Sequence, residues 1–214
     1  MSLTEGFLAL PPTGKGDAVL VLHAWWGLND TIKTVCKRLA EAGFVAYAPD
    51  LYHGQVTDQI PEAEKLGAAL DQKADQAIAE LAAATTFLKG YAGDAGVAVI
   101  GFSLGAAYAL NLSAHAPDSI RSVVTFYGTG PADFSQSKAD YLAHYAENDE
   151  FEPPANARYL EDSLTSAGRP VTIYQYGGTG HWFFEPDRVQ AYHEAAANLA
   201  WERTLAFLKR GAAS

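Results

Sequence analysis

A serine, an acid and a histidine that together could activate a hydroxyl occur in that chain order as Ser103, Asp149 and His181. Serine is a poor nucleophile at neutral pH. It needs a base to take its proton, and the base needs an acid to hold its tautomer. Ser103 is the centre of Gly101-Phe102-Ser103-Leu104-Gly105, a G-x-S-x-G pattern. That spacing suits a serine lifted on a tight strand-to-helix turn, where a side chain two residues to either side would strike backbone. The apolar run Val97–Ile100 before it reads as a buried strand, and the Ala-rich stretch Ala106–Ala114 after it as a helix. The alternative, from these residues alone, is a glycine-lined turn with an idle serine.

Of the six histidines, His181 is the best base, because it sits in a glycine-bounded loop after the last strand. His144 lies within a strand and reads as packed, while His115 and His193 fall in helices. His53 is a candidate for lining the pocket. His23 ends a strand and is assigned to substrate binding, with plain packing as its alternative. Four acids, Glu147, Asp149, Glu150 and Glu152, compete in one loop. Asp149 is preferred for its short side chain and its place four residues past Tyr145. An oxyanion needs two backbone N–H donors. Leu104, following the serine, supplies one, and Trp25 is the simplest second. Trp26, Trp182 and Phe183, with Phe184, suggest an apolar substrate pocket, though aromatics also pack in cores.

These residues need a scaffold that brings them to one edge. Strands are expected at Phe7–Leu10, Ala18–Leu22, Val45–Ala48, Val97–Ile100, Val123–Tyr127, Tyr141–Tyr145 and Val171–Tyr176. Helices alternate with them. In the first, Ile32, Val35, Cys36, Leu39 and Ala40 form an apolar stripe, capped by Asn29 or Asp30 and ended by Gly43. Cys36 therefore reads as a buried structural thiol. Further helices are expected near 61–70, 72–89 and 155–166. The last, near Asp187–Lys209, would turn Val189, Tyr192, Ala196 and Leu199 to the sheet. The polar stretch 55–70 could cover a site or merely connect. Such alternation means an α/β fold, a doubly wound, mostly parallel sheet with helices on both faces, in one domain over residues 1–214.

Composition narrows the class. The chain is 49% hydrophobic and 19% charged, with a formal net charge of −10. The charge argues against nucleic acid and anionic membrane surfaces as partners. No apolar run approaches the roughly 18 residues of a membrane span. A single cysteine excludes an intrachain disulfide and fits a cytoplasmic location. Met1–Glu5 lacks the basic-then-apolar pattern of a leader.

Several stretches carry a more specific likeness: His23-Ala24-Trp25-Trp26-Gly27-Leu28-Asn29, Pro49-Asp50-Leu51-Tyr52, Gly101–Ala106, Asn148-Asp149 with Pro153, Gly180-His181, and Glu202–Leu208. Their order and spacing resemble the dienelactone hydrolase family of α/β-hydrolases over nearly the whole chain. The resemblance implies the α/β-hydrolase fold, Ser103, Asp149 and His181 as triad, and Trp25 and Leu104 as oxyanion-hole amides. Dienelactone-cleaving members have cysteine where Ser103 stands and an activating glutamate where Ala24 stands. They place Glu185's position under an arginine that holds the substrate carboxylate. The expectation is a serine hydrolase of small carboxylic esters or lactones that works through an acyl-enzyme, with no metal or cofactor. A monomer or weak homodimer is expected. Glu185 in the pocket would favour neutral esters over anionic dienelactone, unless Lys33 or Arg188 supplies a cation. Acyl transfer, thioester or peptide cleavage on the same triad, or a non-catalytic binding module, are the alternatives.

Overall fold

Hydrophobic runs and breakers account for most of the architecture seen in a computed structural model, which describes residues 5–92 and 95–210. Seven strands alternate with helices: β1 (Gly6–Ala9), β2 (Ala18–Leu22), α1 (Asp30–Glu41), β3 (Val45–Pro49), α2 (Ile60–Asp71), α3 (Ala74–Ala92), β4 (Val97–Phe102), α4 (Leu104–His115), β5 (Ile120–Phe126), β6 (Asp140–Ala146), α5 (Pro154–Ser166), β7 (Val171–Tyr176) and α6 (Glu194–Arg210). Among the described residues they form one sheet in the order β1-β3-β2-β4-β5-β6-β7. Only β1 is antiparallel; the rest run parallel. The leader reading at Met1–Thr4 lies outside the described residues.

Two apolar layers sandwich the sheet. Ile32, Val35, Cys36 and Leu39 of α1 join Ala197, Ala200, Trp201 and Leu208 of α6 on one face. Leu81 and Leu88 of α3, Leu110 and Leu112 of α4, and Leu160 and Leu164 of α5 cover the other. The stripe expected on α1 is buried, and the Asn29 side chain caps it by accepting from the Ile32 N–H at 3.1 Å. Burial pushes the Cys36 thiol up to about 12, so it stays protonated and unreactive. Among the described residues no helix is long and apolar enough to cross a membrane.

Strand register matters most for function. Leu22 pairs with Gly101, Phe102 with Phe126, Phe126 with His144, and Ala146 with Tyr176. The C-terminal ends of β2, β4, β5, β6 and β7 are therefore level, and the loops after them open along one edge.

The last helix departs from expectation. It starts at Glu194, and residues 187–193 form turns instead. Side-chain bonds account for this. Asp187 accepts from Asn29 Nδ2 at 3.3 Å and from the Thr31 hydroxyl at the start of α1. His193 donates its backbone N–H to Phe183 O, and its Nδ1 accepts from the Ala196 N–H, which caps α6. Of the four residues expected to face the sheet, Tyr192 and Ala196 pack inward. Val189 and Leu199 are exposed, Val189 at 83%.

Candidate active site

The turn at Ser103 is built by backbone sterics. Ser103 has φ 50° and ψ −113°, a strained pair for a residue with a Cβ. A Cβ on Gly105 would sit 2.6 Å from both the Leu22 and His23 carbonyl oxygens, and one on Gly101 would strike the Gly105 carbonyl. Only glycine lets β2, β4 and α4 approach this closely. The Ser103 N–H donates to Phe126 O at 2.9 Å, tying the turn to β5. Ser103 and Leu104 are partly exposed. Leu104 opens α4, so its N–H is one of the helix's four that lack an intrahelical acceptor, at the positive end of the helix dipole.

The three side chains chosen by type and order meet. Ser103 Oγ is 2.9 Å from His181 Nε2, and His181 Nδ1 is 2.8 Å from Asp149 Oδ2. Asp149 Oδ1 also accepts from the N–H groups of Phe151 and Glu152 at 2.9 and 2.8 Å. Those donors fix the carboxylate so that it can hold the imidazole tautomer. The competing acids go elsewhere. Glu147 Oε2 accepts from the Gly178 N–H at 2.8 Å, Glu150 is exposed, and Glu152 reaches Asp149 only through its backbone.

Beside His181 opens a cleft of about 500 Å³, lined by Trp26, Phe151 and Trp182, by the 187–191 turns, and by Asp58 and Ile60. Of the stretch 55–70, Asp58 and Ile60 thus line the cleft, while Gln55, Leu66, Ala69 and Leu70 line a separate one beside Glu80. At Gly67, α2 passes so close that a Cβ would lie 3.1 Å from Trp25 Nε1. Trp182, at φ 64°, packs between Trp26 and Phe151 with ring centroids 5.1 and 4.9 Å away. Arg188 stacks over Trp26 at 4.1 Å, pairs with Asp187 at 3.0 Å and donates to Asp58 O at 3.2 Å.

Three residues assigned to substrate binding are not on the cleft surface. Glu185 is fully buried and its Oε1 accepts from the Tyr127 hydroxyl at 2.7 Å. Burial pushes its carboxyl up to about 8; the Tyr127 bond and Arg188 oppose this, and Asp187 adds to it. Phe183 packs on Tyr127 and Tyr176 in the core. His23 is buried with Nδ1 2.7 Å from Ala24 O, its ring edge-on to Tyr52, and burial lowers its pKa. His53 lines a separate cleft of about 90 Å³ beside Glu80. The sequence names Arg188 as a candidate cation for a substrate carboxylate, but does not mark Phe151, Tyr127 or Asp187 as site residues. Phe151 carries a signal, an aromatic two residues past the chosen acid; Tyr127 and Asp187 carry none.

A parallel sheet with a nucleophile-type elbow after one strand and an acid and base after later ones defines the α/β-hydrolase class. Residues 4–211 match the dienelactone hydrolase family, so the chain belongs to that family and is a dienelactone hydrolase-like hydrolase. It is 33% identical to "Protein usf" of Aquifex pyrophilus, over 96% of this chain and 92% of that protein. It is 32% identical to a carboxymethylenebutenolidase of a Pseudomonas species, over 95% and 88%. A solved structure of a dienelactone hydrolase-like promiscuous phosphotriesterase from metagenomic libraries shares the fold, with TM-score 0.83 at 21% identity over 92% of this chain and 87% of that one.

Proposed function

We propose that the protein hydrolyses small carboxylic esters or lactones through a serine-bound acyl-enzyme. The observation that carries this is the unbroken relay Ser103 Oγ–His181 Nε2 at 2.9 Å and His181 Nδ1–Asp149 at 2.8 Å, behind a strained elbow at the opening of α4. Ser103 Oγ attacks the carbonyl carbon as His181 Nε2 takes its proton. Asp149 stabilises the imidazolium, and the Leu104 and Trp25 N–H groups receive the oxyanion. The alcohol leaves with the proton from His181, and water then repeats the sequence on the acyl carbon. The family relative named carboxymethylenebutenolidase supports a lactone or ester as substrate class.

The cleft's charge favours an uncharged substrate. Asp58, Glu150 and Asp187 line it against one guanidinium, Arg188, already paired with Asp187. An anionic substrate would meet the two remaining carboxylates, while the tryptophan and phenylalanine walls offer apolar area at about 25 cal/mol per Å² buried.

Ser103→Ala should keep the fold and lower turnover of an activated aryl ester by about 10⁴-fold or more. Steady-state rates beside a circular dichroism spectrum check this. A folded variant that keeps most of its activity would remove Ser103 from the reaction.

A further inference from the structure

Glu185 is a carboxyl in a place where water cannot reach it. Oε1 is bonded to the Tyr127 hydroxyl, and among the described residues Oε2 has no hydrogen-bond partner. The Tyr127 ring is likewise fully buried and packs on the His181 imidazole at 4.9 Å between centroids. The backbone at both ends of this contact is strained, at Tyr127 with φ 37° and at Trp182 with φ 64°. Such conformations are costly for residues with a Cβ and persist only where surroundings enforce them.

The end of β5 is a shared anchor. Phe126 O holds the Ser103 N–H, and the Tyr127 N–H donates to His144 O at 2.7 Å. A Cβ on the next residue, Gly128, would sit 2.5 Å from Ser103 O. The nucleophile is therefore fixed to this point through backbone. The base is fixed to it through Tyr127, and the turn that carries the base closes with the Glu185 N–H donating to Trp182 O at 2.9 Å. We propose that Glu185 and Tyr127 form a buried strut that holds the His181 imidazole in register with Ser103, making both positioning residues for the ester hydrolysis proposed above.

The strut works with an uncharged carboxyl. Desolvation carries Glu185 to about 8, Asp187 pushes the same way, and the Tyr127 bond and Arg188 oppose it. Asp149, Asp187 and Glu185 all face the Tyr127 phenol, which burial already holds well above its usual range and therefore protonated. As pH rises through about 8, Glu185 gains a charge with no donor for Oε2. Relief requires water entry or movement of the 181–185 turn, and His181 moves with it.

Two readouts test this: kcat and KM for an alkyl ester followed by pH-stat, and the rate at which a fluorophosphonate labels Ser103. Glu185→Ala and Tyr127→Phe are expected to lower kcat and labelling by about 10–100-fold with KM within about threefold, since misplacement acts on the reacting pair. Glu185→Gln keeps an acceptor for Tyr127 without a charge. It is expected to restore most of kcat and to lack the fall in kcat above about pH 8 that is expected of the wild type. Where Glu185→Ala does not fold, Glu185→Gln still decides through that alkaline limb and through its unfolding temperature. The wild type loses stability as pH rises from the ordinary carboxylate range to about 8, because the unfolded chain gives up the proton first; the Gln variant does not. Wild-type labelling with unchanged rates and pH profiles in all three variants would overturn the strut alone. No labelling of the wild type would overturn the hydrolase reading and the strut with it.

Discussion

The elbow around Ser103 and the segment 180–193 that carries His181, the base, meet at one site but are held there by different means. The elbow is held by main chain. At its glycines 101 and 105 a Cβ would strike backbone carbonyls, and β4 and α4 flank it directly in sequence while the end of β2 packs against it in space. The base segment closes its own turns with backbone bonds but is tied to the rest of the molecule largely through its side chains: Glu185 to Tyr127, Asp187 to Asn29 and Thr31, Arg188 to Trp26 and the Asp58 carbonyl. Backbone packing is all-or-none, whereas a set of side-chain ties gives way one tie at a time. Substitutions in the elbow should therefore break the site outright, and those in the base segment should grade it.

Beyond Ser103→Ala, the largest effect is expected at the joint between the two. Asp149→Asn leaves the volume unchanged but lets His181 take the wrong tautomer, and should cut kcat by about 10²–10⁴-fold. Measuring Glu147→Gln and Glu150→Gln beside it sharpens the comparison. A larger loss in either would mean that another acid orients the base.

Gly105→Ala comes next and probes the elbow by itself. The added methyl meets the Leu22 and His23 carbonyls at 2.6 Å, so β2 and α4 must part. A loss of about 2–4 kcal/mol in chemical denaturation is expected, with kcat down by about 10²-fold. A variant of wild-type stability and rate would show that the elbow is as adaptable as the base segment, and the contrast would fail.

The smallest effect is expected at Arg188→Ala, which cuts one tie of the base segment. Losing a guanidinium stacked on Trp26 should cost about 0.5–2 kcal/mol and shift kcat only a few-fold. It should also raise the preference for a neutral ester over a carboxylate-bearing analogue by about threefold to tenfold, an effect that salt screens. Comparing kcat/KM for both esters at low and high salt checks this. An unchanged ratio would place Arg188 out of reach of substrate.

The same contrast explains what could be read from residue order. The strand–helix alternation, the elbow at Gly101–Gly105, the capped stripe of α1 and the buried Cys36 follow from local periodicity and from glycine's missing Cβ, which neighbours in sequence reveal. The order serine, acid, histidine named three side chains that lie within hydrogen-bonding distance, because level strand ends bring consecutive loops to one edge. Residue order puts the start of α6 too early, because Pro186-Asp187 has the look of a helix start, whereas Asp187 is spent on α1 and His193 does the capping. Residue order puts Glu185 in the pocket, because its position four residues past His181 is where look-alikes hold a substrate. Position along a turn does not say which way a side chain faces. Packing of β5 against the base turn sent Glu185 inward to Tyr127, some 58 residues away in the chain, and no local pattern records a partner at that separation.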